Sequence, residues 1–379
     1  MASSYVLPVT PPGEGGISIV HLISSKASEI ILAYFKPKNN PVNKIKPNRL
    51  YYGHFHDKGA IIDEVIINYI RASESFSGIN TIEINSHGGH MPVKSIMEAL
   101  IKGKAKRINT NQLIALALKN KRLTQIQKEA FLRLIDSTTL LSAKVFLDQY
   151  NGCLQRALIK HKNNKKKLTE LLKSSALGFA LAYPKRILIT GRPNTGKSTL
   201  FNLLVGKERT IVHHTPGTTR DLVDESIAIK EIPFRLMDSA GWRTIRGARS
   251  SQEMIESLGI KKLKKELKKS NIIICLLDGS SCISNDDIKI INHLKNRNVI
   301  WVINKCDLPQ KLSMQFIPAP SINISALKQK GIDKLNNEII KHAGISLSDY
   351  APMSIGTAVV FTKRQYDMIN NALGRLRRS

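Results

Sequence analysis

The chain has 379 residues, which is enough for two or three domains. Its 58 lysines and arginines and 29 acidic residues give a formal charge of +29, and 42% of the residues are hydrophobic. This composition supplies a normal buried core and excludes a wholly disordered chain. The charge favours a polyanionic partner, nucleic acid first, although abundant Lys, Asn and Ile are also typical of an AT-rich genome.

The four cysteines form no CxxC pair, and none has zinc-ligand spacing with a histidine. A disulfide scaffold and a structural zinc site are therefore not expected. The chain shows neither a secretory leader nor an apolar run of ~18–20 residues that could span a bilayer. We expect a cytoplasmic protein that has no membrane partner.

Residues 1–112 combine short β-like runs with Gly and Pro, which predicts a small α+β domain. The runs are Ile17–Leu22, Ile61–Tyr69 and Thr81–Asn85. In residues 113–182 apolar residues recur every three or four positions, which predicts helices. The Lys/Asn-rich patch His161–Lys167 is predicted to be an exposed loop or helix end.

Residues 183–344 alternate apolar strands with amphipathic helices, which predicts a parallel sheet with helices on both faces. The predicted strands are Arg186–Thr190, Phe234–Asp238, Ile272–Asp278, Val299–Asn304 and Ile322–Ser325. Residues 345–379 follow, and Thr362–Arg378 resembles one basic helix.

A complete phosphate-binding loop follows the first of these strands. Residues 191–198 read Gly-Arg-Pro-Asn-Thr-Gly-Lys-Ser and match G-x-x-x-x-G-K-[ST] between a strand and a helix. Backbone N–H groups and the helix N-terminus would surround the phosphates. Lys197 would be the catalytic cation at the β- and γ-phosphates, and the Ser198 hydroxyl would bind Mg²⁺. The predicted nucleotide contacts here are Asn194, Thr195, Gly196, Lys197, Ser198 and Thr199.

Three shorter motifs follow in the order that a GTPase needs. Residues 238–241 fit D-x-x-G, in which Asp238 holds the Mg²⁺ shell and the Gly241 amide meets the γ-phosphate. Residues 304–307 fit N-K-x-D, whose aspartate pairs with the N1–H and N2–H₂ edge of guanine. Together with the Ser-Ala-Leu loop at 325–327 they predict GTP as substrate. The predicted contacts are Asp238, Ser239, Ala240, Gly241, Asn304, Lys305, Asp307, Ser325, Ala326 and Leu327.

The segment between the phosphate loop and D-x-x-G predicts a switch loop. Its predicted nucleotide contacts are His213, His214, Thr215, Pro216, Gly217, Thr218 and Thr219. Thr219 is the candidate Mg²⁺ ligand and contributes to catalysis. The two histidines could indicate a metal site, but we interpret them as exposed switch residues. Trp242 stands where Ras-type GTPases carry a water-orienting glutamine, so hydrolysis needs another arrangement.

The phosphate loop, Gly-Thr-Thr-Arg-Asp at 217–221 and Asp-Ser-Ala-Gly together resemble the bacterial tRNA-modification GTPase family (MnmE, also called TrmE). Two N-terminal segments agree with this resemblance: residues 10–16, Thr-Pro-Pro-Gly-Glu-Gly-Gly, and residues 75–89, Ser-Phe-Ser-Gly…Glu-Ile-Asn-Ser-His-Gly-Gly. Leu134-Ile-Asp136 also fits. The resemblance extends from residue 1 to about residue 375.

The resemblance implies a multidomain protein of α/β and α+β class. A P-loop GTPase domain (183–344) is inserted into a helical domain, whose first part (113–182) is shortened and whose second part (345–379) is a truncated remnant. An N-terminal folate-type domain (1–112) makes the homodimer. With an FAD-dependent partner protein, the family places an aminomethyl-type group on C5 of the wobble uridine of tRNA.

In the family, hydrolysis is activated when two GTPase domains meet, and K⁺ replaces an arginine finger. A cation fixed there neutralises charge that develops in the transition state. Asn194 matches the K⁺-binding asparagine, and oxygens of His213, Thr215 and Thr218 would complete the set. Glu256 matches the glutamate that orients the attacking water, with a solvated helix residue as the alternative.

The chain departs from the family pattern at the folate site. The expected arginine is His21, Glu83 is retained, and the expected lysine falls at Arg122. The Arg-Pro-Gly-Glu-Phe signature is replaced by residues 109–113, and the chain ends Leu373–Ser379 without Cys-Ile-Gly-Lys. Histidine is mostly neutral at pH 7. The ionic contact that an arginine would make is therefore not retained, which argues against binding of a tetrahydrofolate derivative.

Three functional interpretations follow. The first is a reduced but working tRNA-modification GTPase. The second is a GTP-dependent RNA-binding switch of the ribosome-assembly type, although no module such as a KH domain follows residue 344. The third is a decaying family member without modification activity. The basic runs Lys261–Lys269 and Lys363–Arg378 could contact tRNA phosphates or form solvated helix faces.

Overall fold

The computed structural model describes residues 3–11, 13, 15–38, 42–208, 224–237, 266–346 and 356–376. The chain divides into two compact units, residues 1–128 and residues 129–379. No helix in the described ranges is both long enough and apolar enough to cross a membrane.

Unit 1 contains a seven-stranded sheet with the order β3-β4-β5-β6-β2-β1-β7. All neighbours are antiparallel except β1 and β7. Its strands are β1 (Tyr5–Pro8), β2 (Ile17–Ile23), β3 (Phe35–Pro37), β4 (Leu50–Asp57), β5 (Ala60–Ile70), β6 (Thr81–His87) and β7 (Lys106–Arg107). The helices are α1 (Ala27–Ile30), α2 (His90–Lys102) and α3 (Thr110–Lys119), and α4 (Gln125–Ile135) crosses the boundary between the units.

The sheet has a different covering on each face. Alternate residues of β2 and β6, including Val20, Leu22 and Ile84, are fully buried in one core with Ile96 of α2. Alternation with period two places residues such as His21 on the opposite face. There Leu7, Ile23 and Ile108 form a second cluster with Leu113 and Leu116 of α3.

The segment that replaces the Arg-Pro-Gly-Glu-Phe signature begins helix α3. The Asn109 side chain accepts a hydrogen bond from Gln112 N at 3.0 Å, and Gln112 Oε1 accepts one from Asn109 N at 2.9 Å. This reciprocal pair is a capping box, which satisfies two backbone donors at the start of the helix. The changed sequence therefore retains a defined structural role.

Unit 2 begins with the helices α5 (Leu140–Tyr150), α6 (Cys153–Lys160), α7 (Lys165–Lys173) and α8 (Ser175–Ala182) and ends with α12 (Lys363–Leu376). Gln149, fully buried in α5, donates to Thr357 O at 3.0 Å, although the two residues are 208 positions apart. The rings of Phe146 and Phe361 lie 5.4 Å apart, and α7 packs on α12. The described helices before and after the second sheet thus share one core.

The second sheet has six strands with the order β13-β12-β11-β8-β10-β9. Its elements are β8 (Lys185–Thr190), α9 (Lys197–Glu208), β9 (Asp224–Ile229), β10 (Ile232–Met237), β11 (Ile272–Asp278), α10 (Asn285–Leu294), β12 (Val299–Asn304), β13 (Ser321–Asn323) and α11 (Ile332–His342). All pairs are parallel except β9 with β10. The predicted fold class is confirmed: an α+β unit precedes a parallel GTPase-type sheet set within helices.

Continuous apolar runs explain the centre of this sheet. Ile272–Leu277 of β11 and all of β12 are buried. Strands covered on both faces read as unbroken apolar runs rather than as alternating ones. The edge strand β9 alternates instead, with Ile227 and Ile229 buried and Glu225 exposed.

Candidate nucleotide-binding site

The loop between β8 and α9 has the backbone of a phosphate-binding loop. Gly191 and Gly196 have φ values of +142° and +98°, and Asn194 has a φ of +65°. A Cβ on Gly191 would lie 2.3 Å from Leu276 O, and one on Gly196 would lie 2.2 Å from Asn304 Nδ2. Both glycines are therefore required by conformation and by space.

Asn304, the last residue of β12, connects the phosphate loop to the Ser-Ala-Leu loop. Its Nδ2 donates to Thr195 O at 2.8 Å, and its Oδ1 accepts from Ala326 N at 2.9 Å. Thr195, Asn304 and Ala326 are all buried. The first residue of N-K-x-D therefore fixes the distance between the phosphate end and the base end of the site.

Asp307 and Ser325 lie together at the base end. A side-chain hydrogen bond from Ser325 holds the pKa of Asp307 below its usual value. The carboxylate is therefore ionised at neutral pH and accepts hydrogen bonds only. An acceptor of this kind matches the adjacent N1–H and N2–H₂ donors of guanine and does not match the edge of adenine.

Lys197 begins α9 at the phosphate end. Its ammonium group donates to Arg192 O at 2.5 Å, so the loop holds the lysine by its own main chain. Burial lowers the pKa of Lys197 from its usual value. Binding an anion would offset that burial, because a nearby negative charge favours the protonated form.

Two ion pairs stabilise the loops of the site, and no sequence motif predicted them. Arg192 Nε donates to Asp287 Oδ1 at 2.9 Å, and Asp287 is 2% exposed in the first turn of α10. Lys305 Nζ lies 2.6 Å from Asp278 Oδ2. Burial alone would raise the pKa of Asp278, but hydrogen bonds from Lys305 and Ser280 outweigh it and lower the pKa.

Residues of the phosphate loop and of the base end line one cleft of about 510 Å³. It extends from the phosphate loop to the base loop, and both ends contribute polar groups. The lining residues are Asn194, Gly196, Lys197, Ser198, Thr199, Asn304, Lys305, Asp307, Leu308, Ser325 and Leu327. The volume and the polar groups at its two ends suit a nucleotide.

The donor chemistry also suits Mg²⁺. Ser198 lines the cleft at the start of α9 and offers a hydroxyl oxygen, which is a hard ligand of the type that Mg²⁺ prefers. The other predicted ligands, Thr219 and Asp238, lie outside the described residues.

Other predicted residues also lie outside the described ranges. They are His213, His214, Thr215, Pro216, Gly217, Thr218, Ser239, Ala240, Gly241 and Glu256. Of the predicted K⁺ ligands, the structure places Asn194 in the cleft. The roles of all these residues stay predictions.

The predicted folate residues lie in unit 1. His21 and Glu83 face each other across β2 and β6, with Nε2 3.4 Å from Oε2. Burial lowers the pKa of His21, although Glu83 acts in the opposite direction. Arg122 donates instead to Ser75 O at 3.1 Å, and no hydrogen bond within the described residues joins it to the His21–Glu83 pair.

The sheet, the glycine loop and the guanine-type motif define the class of P-loop GTPases. Known families match both halves of the chain. The model described as "50S ribosome-binding GTPase" matches residues 186–305, and "GTP-binding protein TrmE N-terminus" matches residues 6–112.

Individual relatives cover most of the chain. The tRNA modification GTPase MnmE of Thermotoga maritima is 31% identical over 376 residues, which are 89% of this chain and 82% of that protein. MnmE of Aquifex aeolicus is 30% identical over 385 residues, with 92% and 84% covered. An Era variant of Aquifex aeolicus bound to GDP and AlF₄⁻ is 27% identical, covers 42% of this chain and 56% of that chain, and has a TM-score of 0.31. The identity to the two MnmE proteins over most of both chains shows that this chain belongs to the MnmE family of tRNA modification GTPases.

Proposed function

We propose that this chain is a Mg²⁺-dependent, K⁺-activated GTPase that takes part, with an FAD-dependent partner protein, in modifying C5 of the wobble uridine of tRNA. It would work in the cytoplasm as a homodimer joined through residues 1–112. Residues 113–182 and 345–379 form the helical domain around the GTPase domain at 183–344. The observation that carries the nucleotide part is the single cleft in which Lys197 and Ser198 lie at one end and Asp307 at the other.

Different residues of the cleft would bind the base, the phosphates and K⁺. The Asp307 carboxylate accepts hydrogen bonds from the guanine edge, and Asn304 holds the loop that backs the base. Lys197, which donates to the Arg192 carbonyl in this structure, would bind the β- and γ-phosphates instead when GTP is present. Asn194 offers an amide oxygen beside the phosphates, where K⁺ would be bound.

The metal ions would supply positive charge that neutralises the oxygens of the transferred phosphoryl group. Ser198, Thr219 and Asp238 would hold Mg²⁺. Asn194 with oxygens of His213, Thr215 and Thr218 would hold K⁺. Glu256 would orient the attacking water, and the amide of Gly241 would bind the γ-phosphate.

The first experiment compares GTP hydrolysis by the purified chain in KCl and in NaCl at equal ionic strength. We expect several-fold faster turnover in K⁺, and Asn194→Ala should abolish that difference while GDP still binds. The matched control is Asn163→Ala, because Asn163 is an exposed residue in the turn between α6 and α7. Equal rates in both salts would overturn the K⁺ proposal.

Guanine selection has a separate test. Asp307→Asn replaces an acceptor with an amide that can donate to a carbonyl at C2, so we expect xanthine nucleotides to replace GTP as the preferred ligand. The tRNA step is tested by incubating the chain with tRNA and its FAD-dependent partner and analysing the nucleosides by mass spectrometry. A modified wobble uridine that is lost with Lys197→Ala would support the proposal, and unchanged tRNA would contradict it.

A further inference from the structure

Two glycine-rich segments that the nucleotide site does not use meet in unit 1. They lie at residues 10–16 and 83–89 and are far apart in sequence. Gly88 N donates to Gly16 O at 3.0 Å, and a Cβ on Gly88 would lie 1.5 Å from Gly15 O. Only glycine at position 88 permits this approach, which brings Gly15 and Gly16 against the segment that leads into α2.

Neighbouring residues of both segments, Gly13 and Gly89 among them, line a second cavity of about 430 Å³. Helix α2 forms one wall through Val93, Met97 and Ile101, and Pro8 at the end of β1 also lines the cavity. The wall along α2 is therefore mainly apolar over more than two turns. A cavity of this size with an apolar wall and a few polar groups has the usual properties of a small-molecule site.

This cavity is distinct from the predicted folate residues. Ser18, Val20 and Leu22 alternate on the face of β2 that meets α2, and Ser18 lines the cavity. His21 and Glu83 lie on the opposite face of the sheet, because strand residues alternate between faces.

Positive charge gathers at the cavity. Helix α2 starts at His90 after Gly89, which has no side chain to cap the first-turn N–H groups, and both residues line the cavity. Those N–H groups and the helix dipole favour a negative charge there. Lys94 lies one turn further along, and Arg107 also lines the cavity. Neither cation forms an ion pair with any residue that the structure describes.

The Ser18 side chain, which lines the cavity, provides the second, independent observation. Ser18 is 7% exposed, and its hydroxyl has no hydrogen-bond partner within the described part of the chain. Its neighbour Ser86 donates to the main-chain oxygen of Ser18 and leaves that hydroxyl free. Because Ser18 lines the cavity, a ligand oxygen there can accept a hydrogen bond from this hydroxyl without displacing a partner in the described protein.

We propose that this cavity binds an organic anion. Its oxyanion group, a phosphate or a carboxylate, lies at the start of α2 near Ser18 and Lys94, and its apolar body lies against Val93, Met97 and Ile101. Glu98 lines the cavity one turn beyond Lys94. The ligand therefore carries its negative charge at one end only.

The test uses the full chain saturated with GDP and Mg²⁺, which occupies the phosphate loop. Calorimetric titration with 1-naphthyl phosphate, 1-naphthoate and 1-naphthol compares two oxyanions with a neutral molecule of the same shape. We expect one site per chain for the better anion and at least tenfold weaker binding of naphthol. Tighter binding of 1-naphthyl phosphate would identify the natural ligand as a phosphate, and tighter binding of 1-naphthoate would identify it as a carboxylate.

Substitutions inside and outside the cavity lining test whether the anion binds in this cavity. Lys94→Gln should weaken the anion about tenfold and Ser18→Ala about threefold, while Lys102→Gln, on the same helix but outside the cavity lining, should bind as the unaltered chain does. Circular dichroism confirms that each variant is folded. Absence of binding, equal binding of naphthol, or equal affinities of Lys94→Gln and Lys102→Gln would each overturn the proposal.

Discussion

Asn304 holds the main chain of Thr195 through a buried hydrogen bond of 2.8 Å from its side-chain amide. The same amide accepts a hydrogen bond from Ala326 N at 2.9 Å, so one side chain connects both ends of the nucleotide cleft. Its position is defined closely, because a Cβ at Gly196 would collide with it. The residue therefore acts on nucleotide affinity by positioning two loops rather than by touching the reacting atoms.

Asn304→Ala should weaken GDP binding roughly 30- to 150-fold. Loss of the amide leaves Thr195 O and Ala326 N without their partner, at a cost of about 2–3 kcal/mol. Titration with a fluorescent GDP analogue measures the affinity. Asn323→Ala, at the exposed end of β13, is the matched control and should leave it unchanged. Equal affinities of the two variants would contradict the positioning role.

Local patterns in the sequence predicted the parts of this protein that local chemistry determines. The glycine loop, the helix after it and the buried strands β11 and β12 all depend on neighbouring residues, and the predicted strand ends agree with the structure within about two residues. The edge strand β9 was not predicted. Its residues alternate over only six positions, which is a weak signal for an edge strand.

Long-range contacts could not be predicted in this way. The bond between Arg192 and Asp287 joins residues 95 positions apart, and only the packing of α10 beside the phosphate loop creates it. A partial signal existed, because Ser284 and Asp287 have the spacing of a helix cap. The pairing of His21 with Glu83 likewise depends on the register of β2 and β6, which no local motif encodes.

Glu129→Gln should destabilise the helical part of unit 2, and the effect should depend on pH. Burial raises the pKa of Glu129, but hydrogen bonds from Arg364, Gln365 and Thr362 outweigh it and lower the pKa below the usual 4.5. The stabilisation is therefore complete above about pH 4.5 and is lost as the pH falls through the lower, folded-state pKa. We expect about 2 kcal/mol between variant and unaltered chain at pH 7, since hydrogen bonds to charged groups are worth that much.

Urea unfolding at several pH values measures this difference. The difference in unfolding free energy between Glu129→Gln and the unaltered chain should shrink below pH 4.5. Glu170→Gln is the matched control, because Glu170 forms an exposed pair with Lys167, and exposed pairs contribute little. A difference at Glu129 that stays constant from pH 7 to pH 3.5 would contradict the assignment.

Gln149→Ala should also destabilise unit 2, here without dependence on pH. The buried amide donates to Val145 O and Thr357 O and accepts from Val359 N. Removing it takes the partner from the buried N–H of Val359 in the C-terminal segment, at a cost of about 1–3 kcal/mol. Thermal unfolding should show a midpoint several degrees lower, whereas the exposed Asn163→Ala should not shift it. An unchanged midpoint for Gln149→Ala would show that residues 356–362 are held by other contacts.

His21→Arg should strengthen binding of a tetrahydrofolate derivative to unit 1 about tenfold at pH 7.5. Burial lowers the pKa of His21, so the imidazole beside Glu83 is neutral at that pH and offers no fixed charge. Arginine keeps its charge and has five donors, enough for Glu83 and a ligand together. Because burial lowers the pKa of His21 from 6.5, binding by the unaltered chain should strengthen only as the pH falls below that value, where protonation of His21 supplies the missing charge. Fluorescence titration with 5-formyltetrahydrofolate measures both effects, and His161→Arg, which adds the same charge far away in sequence, is the control. Equal affinities of the two arginine variants, with no pH dependence in the unaltered chain, would show that His21 does not contact this ligand.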